Sequence, residues 1–171
     1  MLENAMLWRQ FAVASDQLGA ALRDCPGDKW EQPLWPDQPD QWVAAGFSKF
    51  WYQGYHALFW LDLYLTGAEE GFAPPPPFDL VEMHAHETLP RVYTRAELLA
   101  YLADCRRKCQ ATITALSPEQ SQQLCRFPWG EVAFAELQLY SLRHVQEHAG
   151  QLSMFIGQHA GRFTPPASPS E

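Results

Sequence analysis

Charge is scarce in this chain. Asp, Glu, Lys and Arg make up 19% of its 171 residues, below the ~25% usual for soluble domains. The shortage is greatest on the basic side, with 12 Lys and Arg against 20 Asp and Glu, a formal charge of −8. Phosphate contacts need a basic surface, so a nucleic-acid backbone is excluded as partner. An anionic membrane surface is excluded on the same ground. Cysteine is also sparse. Cys25, Cys105, Cys109 and Cys125 show no CxxC and no zinc-ribbon spacing, and no CxxCH for covalent haem. Cys105 and Cys109 flank Arg106-Arg107-Lys108, and positive neighbours can lower a thiol pKa. Two small buried residues one turn apart on a helix are the more ordinary outcome. A long hydrophobic run is missing too. The most apolar stretch, Trp51 to Leu65, is broken by Gln53, His56 and Asp62. It falls short of the ~20 residues a membrane span needs. Met1-Leu2-Glu3-Asn4 carries no basic region ahead of an apolar run, so no signal peptide is expected. The expectation is a cytoplasmic protein with free thiols and no membrane partner.

Apolar residues reach 47%, with seven Trp and fourteen Pro. That fraction excludes global disorder, and the length suits one domain. Four helical segments stand out and no strand does. The first spans about Leu2 to Asp24, where Leu7, Phe11, Ala14, Leu18, Ala21 and Leu22 form one apolar face. Cys25-Pro26-Gly27 stops it. The second spans about Val43 to Thr66, is apolar nearly all round, and ends at Gly67. The connection from Gly67 to Tyr93 contains Pro74-Pro75-Pro76-Pro77, which favours an extended polyproline conformation. So long a connection is usually functional or a crossover. The third helix opens on the capping box Thr94-Arg95-Ala96-Glu97 and ends at Ser117-Pro118. Phe127-Pro128-Trp129-Gly130 leads into the fourth, about Glu131 to Gln158. Residues 1–161 read as an all-α four-helix bundle, and 162–171 as a Pro/Ser-rich flexible tail.

Six histidines divide into two groups. His84 and His86 lie in the proline-rich connection, and His159 lies near the last helix's C-terminus. A surface role suits these three. His144 and His148 form an HxxxH pair on the apolar face of the fourth helix, in register with Leu137, Ser141, Leu152 and Phe155. One turn separates them by about 6 Å along the axis, within reach of one ion. His56 sits among core-type residues near the middle of the second helix. Mid-helix positions share a height whether two helices run parallel or antiparallel, so the three can converge. A buried polar group left unpaired costs about 1–3 kcal/mol. The imidazoles therefore either bind a metal or join a polar core network with Ser141, Tyr52 or Tyr55. Three neutral imidazoles around a divalent ion leave a position open, as in catalytic zinc sites. Imidazole suits Zn, Ni, Fe or Cu. A di-iron centre wants Glu three residues before its His, and here those residues are Gln53, Ser141 and Val145. Glu147 points about a quarter-turn from His148 and offers no convincing base.

The chain resembles the DinB/YfiT-like superfamily of metal-binding four-helix bundles. The likeness rests on Phe50-Trp51-Tyr52-Gln53-Gly54-Tyr55-His56, on Tyr93-Thr94-Arg95-Ala96-Glu97-Leu98-Leu99, and on His144-Val145-Gln146-Glu147-His148-Ala149-Gly150-Gln151-Leu152. The resemblance implies an up-down-down-up bundle whose long crossover joins helices 2 and 3. It implies one divalent transition metal on His56, His144 and His148, with zinc or nickel ahead of iron or manganese. It also implies a homodimer, to which exposed aromatics would lend an apolar face. Members with known activity include thiol-dependent transferases, so the expected function is metal-dependent hydrolysis or thiol-dependent S-transfer. The partners would be a small-molecule substrate and a low-molecular-weight thiol. The alternative is a non-enzymatic metal-binding or stress-related interaction protein. Ala149 departs from the family, which often has Arg before the Gly-Gln pair.

Overall fold

Phe11, Leu18 and Leu22 lose all contact with solvent along the stripe that the first helix's periodicity marks out. That helix, α1, spans Asn4–Asp24 in a computed structural model that describes residues 3–37 and 43–161. Leu2 and the segment 162–171, the expected tail, lie outside the described residues. The chain is mostly helical. After α1 come α2 (Phe50–Thr66), α3 (Arg95–Thr114), a single turn α4 (Pro118–Ser121) and α5 (Phe134–Ala160).

The second helix starts later than its apolar pattern predicts. Residues 44–49 form turns, and α2 opens only at Phe50. Fourteen of its 17 residues are buried. Gly67 closes it in the left-handed conformation at φ 78°, with Phe134 and Cys125 packed against it. A side chain there would meet both strain and a neighbour. The capping box at Thr94 is present as expected: its hydroxyl accepts from the Glu97 N–H, and Glu97 accepts from the Thr94 N–H. Ser117-Pro118 does more than end α3. It caps α4 through a second reciprocal pair with Gln120.

A β-hairpin stands where no strand was expected. β1 (Leu124–Phe127) pairs antiparallel with β2 (Gly130–Ala133), with Pro128-Trp129 as the turn. Glu131–Ala133 therefore belongs to a strand, and α5 begins three residues later than the expected helix. The cause is pairing: the backbone groups of these residues are satisfied across the hairpin, not along a helix.

Both α1 and α2 pack on α3 and α5, while α1 and α2 themselves scarcely touch. Cross-links fix the registers. Asn4 at the start of α1 donates to the Leu116 carbonyl just beyond α3, at 2.8 Å. Arg95 at the start of α3 donates to the Cys25 carbonyl at the end of α1. Between α2 and α3, Cys105 packs its thiol against the Leu58 carbonyl, and Lys108 pairs with Asp62. Between α2 and α5, Phe50 meets Phe155 and Gln138 donates to the Tyr64 carbonyl.

The 67–93 connection is not extended throughout. It turns at Pro76-Pro77, where the Phe78 N–H reaches the Pro75 carbonyl at 3.0 Å. Phe78 then inserts among Tyr55, Tyr93 and Tyr101, with ring centroids 5.8, 4.6 and 4.4 Å away. Buried aromatic area of this kind anchors the crossover. Asp79 next accepts from the Val81 N–H and starts a 3-10 turn, Leu80–His84. Among the described residues no helix is long and apolar enough to cross a membrane.

Candidate metal centre

α2 and α5 are neighbours, so residues at mid-height on their facing sides must meet. His56 of α2 and His144 and His148 of α5 do. The His56 and His144 Nε2 atoms lie 3.1 Å apart, and those of His144 and His148 also 3.1 Å. One nitrogen from each ring falls within 4.8 Å of the others. All three expected residues are thus brought together. His148 is buried, and His56 and His144 are half-buried.

Hydrogen bonding alone cannot satisfy this cluster. The His144 Nε2 faces both other Nε2 atoms. That nitrogen offers either one N–H or one lone pair, so it makes one well-directed hydrogen bond and leaves the other contact without one. The Nδ1 atoms of His144 and His148 are buried without a hydrogen-bond partner among the described residues. Burial, and then the charge a second imidazole would carry, push His144 down to about 2 and His148 down to about 3. Both rings are neutral at pH 7. The Gln151 amide lies near enough to His148 to favour a proton on it, yet the two make no well-formed bond. Neutral imidazoles aiming lone pairs at a common point are the donor set of a divalent transition metal. The cluster could hold such an ion.

The hydroxyls expected in a polar core network do not reach the imidazoles. The Ser141 hydroxyl is buried without a partner among the described residues. The Tyr55 hydroxyl donates to the Asp79 carbonyl at 3.4 Å. The Tyr52 hydroxyl donates to Glu82 instead, and burial beside that carboxylate drives it well above the usual phenol range.

Glu82 is the residue that sequence reasoning missed. It comes from the 3-10 turn of the crossover and is 2% exposed. Its Oε1 lies 2.6 Å from the His56 Nδ1 and accepts from the Trp60 Nε1 at 3.1 Å. One signal was available: Glu82 sits between Val81 and Met83, an acid inside a short apolar run. His84 and His86 are exposed, and the His159 Nδ1 lies 2.9 Å from the Phe155 carbonyl. None of the three joins the cluster. Glu147 is exposed, and Ala149 is fully buried. The basic run does not activate Cys105 or Cys109. Burial pushes Cys109 up to about 12 and Cys105 well above its ordinary value, despite the basic run between them.

A family model described as the DinB superfamily matches residues 10–152. No curated protein matches the chain. Among solved structures, a DinB-like protein from Bacillus subtilis is similar over 97% of this chain and 99% of its own, with a TM-score of 0.64 and 12% identity. At that identity the likeness speaks for the fold alone.

Proposed function

The chain belongs to the DinB superfamily, and on that premise we propose that it binds one divalent transition-metal ion through His56, His144 and His148. The observation carrying this reading is the His144 Nε2, 3.1 Å from the Nε2 of both His56 and His148, where a single ring nitrogen can make only one well-directed hydrogen bond. Zinc or nickel suits the all-imidazole donor set. When bound, the ion supplies a positive charge that lowers the pKa of a thiol or water beside it and polarises an electrophile. Two chemistries fit: transfer of a low-molecular-weight thiol to a small electrophile, and hydrolysis. The first fits better. Glu82 spends its oxygens on three donors, and Glu147 faces solvent away from the cluster, so neither is placed to take a proton from water held there. A thiol, with an ordinary pKa near ~8.5, needs less help to ionise.

The helix contacts support an up-down-down-up bundle. The Asn4–Leu116 and Arg95–Cys25 bonds suit antiparallel α1 and α3. The Leu58–Cys105 and Asp62–Lys108 contacts suit parallel α2 and α3. The long crossover between those two follows from that direction. The reading also includes a cytoplasmic homodimer.

Elemental analysis of protein purified without an affinity tag tests the metal. About one equivalent is expected, and His148→Ala should lose it. Less than about a tenth of an equivalent after reconstitution overturns the reading. A screen of metal-loaded protein with several thiols and electrophiles then tests the transfer. Turnover of ester or amide substrates with no thiol present would favour hydrolysis.

A further inference from the structure

We propose that Glu82 is the positioning residue of the histidine cluster: its carboxylate holds His56 in the Nδ1–H tautomer and so turns the His56 Nε2 lone pair toward His144 and His148. The inference deepens the metal reading, but the tautomer it assigns does not depend on an ion being bound.

The three donors around Glu82 are Tyr52, His56 and Trp60, residues i, i+4 and i+8 of one helix. They stand on successive turns of a single face of α2. The acceptor comes from elsewhere in the chain. Phe78, locked in the aromatic core, and the Asp79–Val81 bond set the height of the turn that delivers Glu82. The Trp60 indole can only donate, so Oε1 is an accepting oxygen, and the carboxyl takes hydrogens from Trp60 and from the His56 Nδ1 alike. Being buried, it cannot exchange them for water, and each bond is costly to leave unmade. For His56 this means that Nδ1 carries the hydrogen. In the neutral ring the other nitrogen is then a bare lone pair, and it faces the cluster. Among the described residues His144 and His148 have no such partner on Nδ1. Glu82 therefore acts on one ligand of three and prepares it before any ion arrives. Carboxylates that orient a metal-binding imidazole typically change metal affinity by about 10–100-fold when removed.

The test uses the whole chain, apo and zinc-loaded. Long-range proton–nitrogen NMR of the metal-free protein, with His56 assigned through His56→Asn, should show His56 as the Nδ1–H tautomer. In Glu82→Gln the amide can donate as well as accept, so a tautomer mixture should appear. Zinc affinity, measured by chelator competition, should weaken about 10–100-fold. Ser141→Ala alters buried packing one turn from His144 but leaves every bond of Glu82 in place. Its tautomer should be unchanged and its zinc affinity within about threefold, which separates positioning from a general loss of packing. An Nε2–H tautomer in the wild type overturns the proposal, and so does Glu82→Gln with tautomer and affinity unchanged. Should Glu82→Gln fail to fold, the wild-type spectrum decides. If the wild type binds neither zinc nor nickel, the metal reading falls, and the positioning role is judged on the tautomers alone.

Discussion

Lys108 places its ammonium 2.7 Å from an Asp62 carboxylate that is 1% exposed, while the lysine remains half in solvent. The Tyr101 hydroxyl donates to the other oxygen at 3.1 Å. The pair is asymmetric: removing the lysine strands a buried charge, whereas removing the charge strands little. Lys108→Met should therefore lower stability by about 1–3 kcal/mol, less than for a fully buried pair because the lysine is already hydrated. Asp62→Asn in the same chain should restore part of the loss, since the amide still accepts from Tyr101. Urea denaturation of the single and double variants checks the order. A double variant weaker than Lys108→Met would show that the carboxylate itself is stabilising. The histidines were legible because spacing on an apolar helix face carries their geometry. Glu82 was not, because nothing periodic fixes where a crossover turns. Its depth comes from Phe78 and Asp79, residues whose contacts lie far along the chain.

The start of α3 illustrates what one element encodes for itself. Glu97 accepts from Arg91 and from the Thr94 N–H, and these bonds hold its carboxyl down to about 2. A depressed carboxyl adds stability above its ordinary value near 4.5 and loses it as pH falls toward 2. The stability gap between wild type and Glu97→Gln should be open at pH 6 and close between about pH 4.5 and 2. Added salt should narrow it at pH 6, because Glu97 and Arg91 face water. Acid titration of the two melting temperatures measures this, and a gap constant down to pH 2 would rule the pair out as its source. This cap could be read from four residues. The start of α2 could not: Val43, Ala44, Ala45 and Phe47 extend its apolar pattern upstream, interrupted by Gly46, left-handed at φ 85°, and by Lys49. The hairpin was hidden differently. Its strands are four residues each, and Pro128-Trp129 is not among the common hairpin turns.

At the scale of the molecule, the low charge count and the aromatic surplus have one cause. Trp51, Tyr52, Tyr55, Phe50 and Phe59 of α2 are all at most 2% exposed. A helix surrounded in this way leaves few surface positions to charge. The aromatic network also reaches the histidines. The Trp60 ring centroid lies 6.3 Å from that of His56, and its indole N–H is tied to Glu82. The chain thus carries an optical probe beside its candidate centre. A paramagnetic ion such as Cu²⁺ or Ni²⁺ seated among the imidazoles should quench the emission of this indole, while Zn²⁺ should leave most of it. Subtracting the spectra of Trp60→Phe isolates the signal from the other six tryptophans. The indole that packs the fold together would then report, in real time, each arrival and departure of the ion.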